Sequence, residues 1–307
     1  MKRIAVTGAT GTIGRALVAA LRERGEDVIA LSRDRDRAQN ALGGEVEVHV
    51  WADPTVSPPP AEALSGAAGV VHLLGEPVAQ RWTAAAKARI RESRVDSTRL
   101  LVAALRELPE EQRPQVLLSQ SAVGFYGPSD DRELDEQAPA GADFLAGVVT
   151  AWEHQAEMAA SLMRVVMTRT GVVLTASGGA LGRMLPFFRL GLGGPVAGGR
   201  QYVPWIHLED TVAAMLFCLD QQSISGPVNL AAPNPLTNEE FSRALGHALR
   251  RPAVLPVPGL AIQLLYGEMA QIVTTGQRVV PRRLLEHGFD FRHPHVEAAL
   301  TDVLARR

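Results

Sequence analysis

Apolar and polar positions divide the first half of the chain into short runs of strand length and longer stretches of helical spacing. Apolar runs at 4–7, 28–31, 46–50, 70–74, 116–119 and 165–170 predict six strands. Between them, apolar residues recur at helical intervals, most clearly over 15–24, 84–108 and 144–163. Strands that alternate with helices, and that carry few polar residues, predict a doubly wound parallel sheet of the α/β class.

The second half follows a less regular pattern. Residues 171–204 are rich in glycine and poor in charge, which predicts loop and short helix. A helix is expected soon after Trp205 and another over 238–249. We therefore expect two domains. Residues 1–170 with about 205–232 form the parallel-sheet domain, and about 171–204 with 233–307 form a smaller α+β domain.

Composition excludes several classes of protein. The 31 basic and 33 acidic residues nearly balance, so no basic surface for nucleic acid is expected. The single cysteine, Cys218, excludes an internal disulfide and a multi-cysteine zinc site, and we predict no metal site. No apolar run reaches membrane-spanning length, and the chain opens directly on a strand pattern rather than a signal peptide. A cytoplasmic protein without membrane or nucleic-acid partners is predicted.

The strongest local motif lies between the first predicted strand and the first predicted helix. Its glycines, Gly8, Gly11 and Gly14, follow the spacing G-x-x-G-x-x-G, and Thr10, Thr12 and Ile13 fill the intervening positions. Glycine allows a tight turn and a close approach of the backbone to a pyrophosphate, which the N–H groups of the helix then bind. In this strand–turn–helix context the motif predicts a Rossmann-type dinucleotide site.

The end of the second strand indicates which dinucleotide. Proteins that bind NAD place an acidic residue here to hold the ribose 2′-hydroxyl, whereas this chain has Ser32 and Arg33. A guanidinium and a hydroxyl suit a 2′-phosphate, so NADP(H) is the predicted cofactor. The adjacent Asp34 keeps NAD as an alternative. Further cofactor contacts are predicted at Leu73, Leu74 and Gly75 after the fourth strand, and at Asp53, which could equally be a turn or helix-cap residue.

Several segments together resemble one family. TGATGTIG, VVHLLGEPVAQRW, RESRVDSTRLL, SQSAVGFYG and PFFRLGLGGPVAGGRQYVPWIHLEDT are similar to the uncharacterised epimerase branch of the atypical short-chain dehydrogenase/reductases. The resemblance spans nearly the whole chain. It implies an extended short-chain dehydrogenase fold, NADP(H) binding, a C-terminal domain of unknown function at about 245–300, and a substrate domain formed by the smaller unit. It implies no particular substrate.

The superfamily's proton-transfer pair, Tyr-x-x-x-Lys, is absent. Neither lysine of the chain, Lys2 or Lys87, follows a tyrosine at that spacing. Alignment of the helix predicted over 144–163 on Glu153 instead brings Leu145 and Val149 to those two positions. The remaining candidates for catalysis are Ser121, which matches the superfamily's serine after the fifth strand, Tyr126 and His207. The alternatives are that Tyr126 packs a turn and that His207 is a satisfied structural histidine.

Substrate contacts are predicted at the rim of the same cleft. An arginine beside an aromatic residue suits an anionic or planar ligand, as at Arg81 and Trp82, although Trp82 could instead cover a helix start. Glu76, Arg200 and Tyr202 are weaker candidates of this kind. Arg94, in the long arginine-rich helix, is a candidate for the cofactor or for a dimer surface.

Two functions remain open from the sequence. The first is an NADP(H)-dependent oxidoreductase or epimerase-type enzyme acting on a small polar substrate. The second is a non-catalytic NADP(H)-binding redox sensor or scaffold, which the missing lysine favours. A homodimer through the helices at 84–108 and 144–163 is expected by analogy with extended relatives.

Overall fold

The computed structural model describes residues 2–176 and 178–305. The strands are β1 (Arg3–Thr7), β2 (Asp27–Ser32), β3 (Glu47–Val50), β4 (Gly69–His72), β5 (Val116–Ala122), β6 (Glu133–Leu134), β7 (Arg164–Thr170), β8 (Val172–Leu174), β9 (Tyr202–Val203), β10 (Trp205–His207), β11 (Gly226–Leu230), β12 (Leu236–Thr237) and β13 (Arg278–Val279). The helices are α1 (Thr12–Glu23), α2 (Arg35–Leu42), α3 (Ala84–Glu107), α4 (Phe144–Glu157), α5 (Gly179–Arg189), α6 (Leu208–Asp220), α7 (Asn238–Leu249), α8 (Gly259–Tyr266), α9 (Gln271–Thr274), α10 (Arg282–Glu286) and α11 (Val296–Ala305).

Seven of these strands form one sheet in the order β11-β7-β5-β4-β1-β2-β3. Every neighbouring pair in it is parallel. The order reverses beside β1, so the carboxyl ends of β1 and β4 flank a crevice at the point where ligands bind in such sheets. The prediction of a doubly wound Rossmann-type sheet is confirmed.

Helices cover both faces of the sheet. On one face, α1 packs against β1 and β2, and α6 packs beside it against β5 and β7, through Leu17, Leu21 and Met215. On the other face, α3 and α4 pack through Leu101 and Leu105 of α3 and Ala156 of α4. Because each strand is covered on both sides, the strands carry the near-continuous apolar runs seen in the sequence.

A smaller apolar core lies beyond the carboxyl end of the sheet. It joins α5, α7 and α11 through Leu185, Phe241 and Leu300, with Trp205 of β10 fully buried among them. Part of the C-terminal segment packs elsewhere, since Phe289 and Phe291 join the core of the sheet domain. The chain therefore returns to the large domain before α11 completes the smaller core.

The bounds of some elements differ from the sequence prediction. The helix predicted over 144–163 ends at Glu157, and residues 158–163 form turns before β7. Strand β11 was not predicted, because Gly226 and Pro227 are poor strand residues; proline is tolerated there because β11 lies at the sheet edge. Cys218 is fully buried, and this burial raises the pKa of its thiol to about 12. No helix within the described residues is long and apolar enough to cross a membrane.

Candidate functional site

The turn between β1 and α1 is built so that only glycine fits at two of its positions. Gly8 has a φ of 63°, and an added Cβ would lie 2.7 Å from the carbonyl oxygen of Leu73. An added Cβ at Gly14 would lie 2.3 Å from the carbonyl oxygen of Gly8. The turn is closed by the N–H of Gly11, which donates to that same Gly8 oxygen at 3.0 Å. Close backbone packing therefore requires glycine at both positions and keeps the turn tight against the start of α1.

The first turn of α1 leaves its backbone donors available. Gly11 is the N-cap residue and offers no side-chain cap, and the first turn contains no acidic residue. The N–H groups of Thr12, Ile13 and Gly14 point out of the helix start, where the helix dipole favours an anion. With Thr10 half-exposed beside them, these residues fit a pyrophosphate.

At the end of β2, the acidic residue that could favour NAD is used by the protein itself. Asp34 is the N-cap of α2, and its carboxylate accepts the N–H of Arg37 at 3.0 Å. The side chain of Arg33 is exposed beside it. Ser32 donates to the carbonyl oxygen of Asp34 at 3.1 Å and lies at the carboxyl end of the strand. The exposed guanidinium of Arg33 therefore stands at the end of β2 beside a carboxylate that already has one oxygen in the α2 cap.

Asp53 stabilises a turn. Its Oδ1 atom accepts hydrogen bonds from the hydroxyl of Thr55 at 2.7 Å and from the N–H of Thr55 at 3.0 Å. These two hydrogen bonds lower the pKa of the Asp53 carboxyl, with Arg33 contributing through its charge. The geometry corresponds to the turn alternative in the sequence analysis.

A series of hydrogen-bonded, buried side chains at the end of β4 stabilises the loop that follows this strand. His72 lies between Thr7, whose hydroxyl is 2.8 Å from Nδ1, and Thr98, whose hydroxyl is 3.0 Å from Nε2. The Thr7 hydroxyl also accepts the N–H of Leu73 at 3.1 Å. Burial lowers the pKa of His72 to about 3, so the ring is neutral at physiological pH. This series fixes Leu73 and the adjoining Leu74 at the edge of the crevice.

Arg94 supports the same loop rather than projecting from the helix surface. Its Nη1 atom donates to the carbonyl oxygens of Glu76 and Ile90 at 2.9 and 3.1 Å. Its guanidinium lies directly under Gly75, where an added Cβ would approach it to 2.9 Å. Burial lowers the pKa of Arg94 to about 10, and the ring of Trp152 lies 5.3 Å away. Arg94 thus positions the backbone of the predicted cofactor loop.

Two of the predicted catalytic residues belong to one buried network at the end of β5. Ser121, 1% exposed, donates to Glu153 at 2.5 Å. Arg169 holds both carboxylate oxygens of Glu153 at 2.8 Å. It also donates to the hydroxyl of Tyr126 at 3.1 Å, and that hydroxyl donates to Asn229 at 2.6 Å.

Both hydroxyls are held by hydrogen bonds within this network. Tyr126 is 4% exposed, and burial raises its pKa to about 12 even though Arg169 acts in the opposite direction. The guanidinium of Arg169 also stacks 3.4 Å from the ring centre of Phe125. Such mutually satisfied buried groups rigidify the strand end.

The helix positions that the superfamily gives to tyrosine and lysine face the segment after β5. An added Cβ at Gly124 would lie 3.5 Å from the Cβ atom of Leu145 and 4.0 Å from a methyl of Val149. Leu145 is half-buried and Val149 is buried. Apolar groups therefore occupy the place from which the alignment expects proton transfer.

The predicted substrate residues after β4 separate into buried and exposed groups. Trp82 is 7% exposed, donates to the carbonyl oxygen of Val78 at 2.9 Å and packs edge-on against Phe144. Glu76 accepts from Gln80 at 3.0 Å. Arg81 is exposed beside Gly267 of the smaller domain. Arg81 is exposed and charged, and it forms no ion pair with any described residue, whereas Glu76 lies 3.7 Å from Arg89.

The remaining predicted residues lie in the smaller domain. Arg200 is exposed, and Tyr202 is half-buried in β9, with the guanidinium of Arg278 at 5.4 Å from its ring centre. His207 is 2% exposed and is the N-cap of α6, where its Nδ1 accepts the N–H of Glu209 at 3.1 Å. Burial and the neighbouring His293 lower the pKa of His207. The histidine thus has a structural partner, and it is not brought together with Ser121 or Tyr126 in any described contact.

The sequence analysis did not single out Arg169, Asn229, Glu136 or His72 as parts of the site. Glu136 accepts the N–H of Asn229 at 3.0 Å, and burial raises its pKa. These residues have no fixed spacing from one another, since the Tyr126–Asn229 pair is separated by 103 positions. The available signal was the presence of charged and amide side chains inside otherwise apolar strands, as at Arg169 in β7.

Two profiles of known protein families match this chain. Residues 4–231 match the profile of the NAD dependent epimerase/dehydratase family, and residues 257–303 match a domain of unknown function, DUF1731. The predicted C-terminal domain of unknown function is thereby confirmed.

Relatives match over almost the full chain. The epimerase family protein SDR39U1 homolog of Arabidopsis thaliana, described as chloroplastic, is 38% identical over 98% of this chain and 86% of its own length. The crystal structure of human epimerase family protein SDR39U1 with NADPH has a TM-score of 0.89 and 34% identity, covering 99% of this chain and 100% of that one. A nucleoside-diphosphate sugar epimerase from Corynebacterium glutamicum has a TM-score of 0.77 and 33% identity, covering 99% of this chain and 58% of that one. Because a relative is chloroplastic, the cytoplasmic location stays a prediction.

Proposed function

This chain belongs to the NAD-dependent epimerase/dehydratase family, and from that premise we propose that it is an NADP(H)-binding protein without the tyrosine–lysine proton transfer of its superfamily. When bound, NADPH would supply a hydride.

The observation that carries the proposal is the contrast at the end of β2. Asp34 is committed to the α2 cap, whereas the exposed Arg33 is free to pair with a 2′-phosphate. Together with the uncapped start of α1, this supports binding of NADP(H) in preference to NAD(H). The human relative solved with NADPH supports the same cofactor.

A titration of Arg33→Ala tests this preference. NADPH affinity is expected to fall by about 10- to 100-fold, since a charge-assisted hydrogen bond contributes about 1.5–3 kcal/mol. NADH affinity is expected to stay within about twofold of the original value. Arg99→Ala, which removes an exposed arginine from α3, is the matched control. Equal loss of both nucleotides in Arg33→Ala would contradict a 2′-phosphate contact.

The reaction end of the cleft favours binding without turnover. The apolar side chains of Leu145 and Val149 cannot act as general acids. The hydroxyls of Ser121 and Tyr126 are hydrogen-bonded within the network around Glu153. A redox sensor requires a cofactor site and a surface that responds to it, but no general acid. We therefore rank a sensor or scaffold role first.

A second candidate is an oxidoreductase or epimerase-type enzyme acting on a small polar substrate. It is favoured by Arg81 and Arg200, whose exposed charges make no ion pair with the described residues and suit an anionic substrate. Its proton would have to come from solvent or from the substrate.

One experiment separates the two candidates. The purified protein is saturated with NADPH and incubated with a panel of carbonyl and sugar-nucleotide substrates, while absorbance at the reduced nicotinamide band is followed. A sensor consumes no NADPH above the protein-free rate and instead changes its protease sensitivity when NADPH is added. Turnover that falls in Arg81→Ala would establish the enzyme and overturn the sensor.

A further inference from the structure

A cluster of two histidines and two carboxylates lies where the start of α6 meets the C-terminal segment. His207, Glu209, His293 and Asp302 each place one ligand-type atom within 4.8 Å of the others. They come from three separate places: the junction of β10 and α6, the segment before α11, and α11 itself. Their contacts therefore join the C-terminal segment to the sheet domain.

His207 is oriented so that it supports the cluster from within. Its Nδ1 accepts the N–H of Glu209 at 3.1 Å, which fixes the ring proton on Nε2. The buried Nε2 atom lies 3.2 Å from Oδ2 of Asp302, so its N–H stands beside that carboxylate. A protonated Nε2 cannot be a metal ligand, so His207 is suited to steer Asp302 instead.

The backbone holds His293 in place beside it. Asp210, fully buried, accepts the N–H groups of Arg292 and His293, both at 2.9 Å. The ring of His293 stacks 3.8 Å from that of His207, and its Nε2 lies 3.1 Å from Oε2 of Glu209. Its side chain is fixed before any ligand arrives, which lowers the entropy cost of binding.

We propose that Glu209, His293 and Asp302 form a site for a divalent transition-metal ion of the zinc class, with His207 as the residue that positions Asp302. One imidazole and two carboxylates suit Zn²⁺ better than Mg²⁺ or Ca²⁺, which prefer oxygen ligands alone. Ligands about 2.1 Å from one zinc ion lie about 3.4 Å apart, close to the 3.1 Å between His293 and Glu209. The side chains of Glu209, His293 and Asp302 are 29%, 13% and 26% exposed, so water can complete the coordination.

The test is zinc binding by the full chain after treatment with a chelator. Calorimetric titration with ZnCl₂ is expected to give one ion per chain and a higher thermal midpoint. His293→Ala and Glu209→Gln are expected to lose at least about 10-fold in zinc affinity. The exposed His247→Ala is the control for surface histidines and is expected to bind as the original protein does.

Further variants separate this site from the nucleotide site. His207→Gln keeps all three ligands and is expected to weaken zinc binding by about 10- to 100-fold as a positioning residue. NADPH affinity is expected to be unchanged in His293→Ala, so failure here would not reflect failure of the cofactor site. No saturable zinc binding, or equal loss in His247→Ala, would overturn the proposal in favour of a His293–Glu209 ion pair without metal.

Discussion

At the start of α1 the backbone donors have no side-chain cap, whereas at the end of β5 the polar side chains bind one another. Gly11 leaves the first turn of α1 open. Ser121, Glu153 and Arg169, by contrast, form a closed buried set. Unsatisfied donors at a helix start favour an anion, while a satisfied network contributes rigidity. The comparison teaches that one end of the predicted cleft presents backbone donors suited to an anion, whereas at the other end the polar side chains are satisfied by one another.

The sharpest way to break the comparison is to distort the turn between β1 and α1. Gly14→Ala places a Cβ against the carbonyl oxygen of Gly8, so the turn must change the conformation in which it presents the N–H groups of α1. Loss of two charge-assisted hydrogen bonds of about 1.5 kcal/mol each corresponds to at least about 100-fold weaker NADPH binding. Fluorescence titration measures it. Gly147→Ala, whose added Cβ meets nothing within 4 Å, is the control and should bind NADPH as before.

A second test of the comparison is to break the buried network at the end of β5. Arg169→Met leaves the carboxylate of Glu153 buried without its cation, and such a change costs about 3–5 kcal/mol in the free energy of unfolding. Urea denaturation measures this loss. Arg243→Ala, which breaks the exposed pair with Glu239, should cost at most about 0.5 kcal/mol. Near-equal losses in the two variants would show that the Glu153–Arg169 pair has no structural importance.

A third prediction concerns how the buried His72 makes the stability of the fold depend on pH. Its folded-state pKa, about 3, lies below the ordinary value of 6.5, so the unfolded chain binds a proton first as the pH falls. Stability therefore declines below pH 6.5, by up to about 1.4 kcal/mol per pH unit from this one group. His72→Asn lacks this titration. Unfolding of both proteins at pH 7, 6 and 5 should show the smaller decline in the variant; parallel curves would exclude His72 as the cause.

The turn between β1 and α1 and the network at the end of β5 also differ in how well the sequence alone predicts them. The phosphate turn depends on three glycines within seven residues, and its strand–turn–helix context is local, so Gly8 and Gly14 could be identified directly. The network at β5 depends on pairs such as Ser121–Glu153, separated by 32 positions, which only the fold brings together. Arg94 and Trp82 were predicted as ligand-binding residues because arginines and aromatics bind ligands. Their hydrogen bonds to the carbonyl oxygens of Glu76 and Val78 depend on tertiary packing, which the pattern of one helix does not contain.

A change that is expected to leave NADPH binding almost unaltered is Tyr126→Phe, which removes one hydroxyl from the network. The variant loses the contacts with Asn229 and Arg169, at a cost of about 1–3 kcal/mol because Asn229 Oδ1 stays buried. NADPH affinity should remain within about twofold, since the hydroxyl belongs to the buried network and the nucleotide is held at α1 and β2. Fluorescence titration and urea denaturation on the same sample measure both. If stability were unchanged while NADPH oxidation with some substrate fell sharply, Tyr126 would act on that substrate, and the two ends of the cleft would both belong to an enzyme.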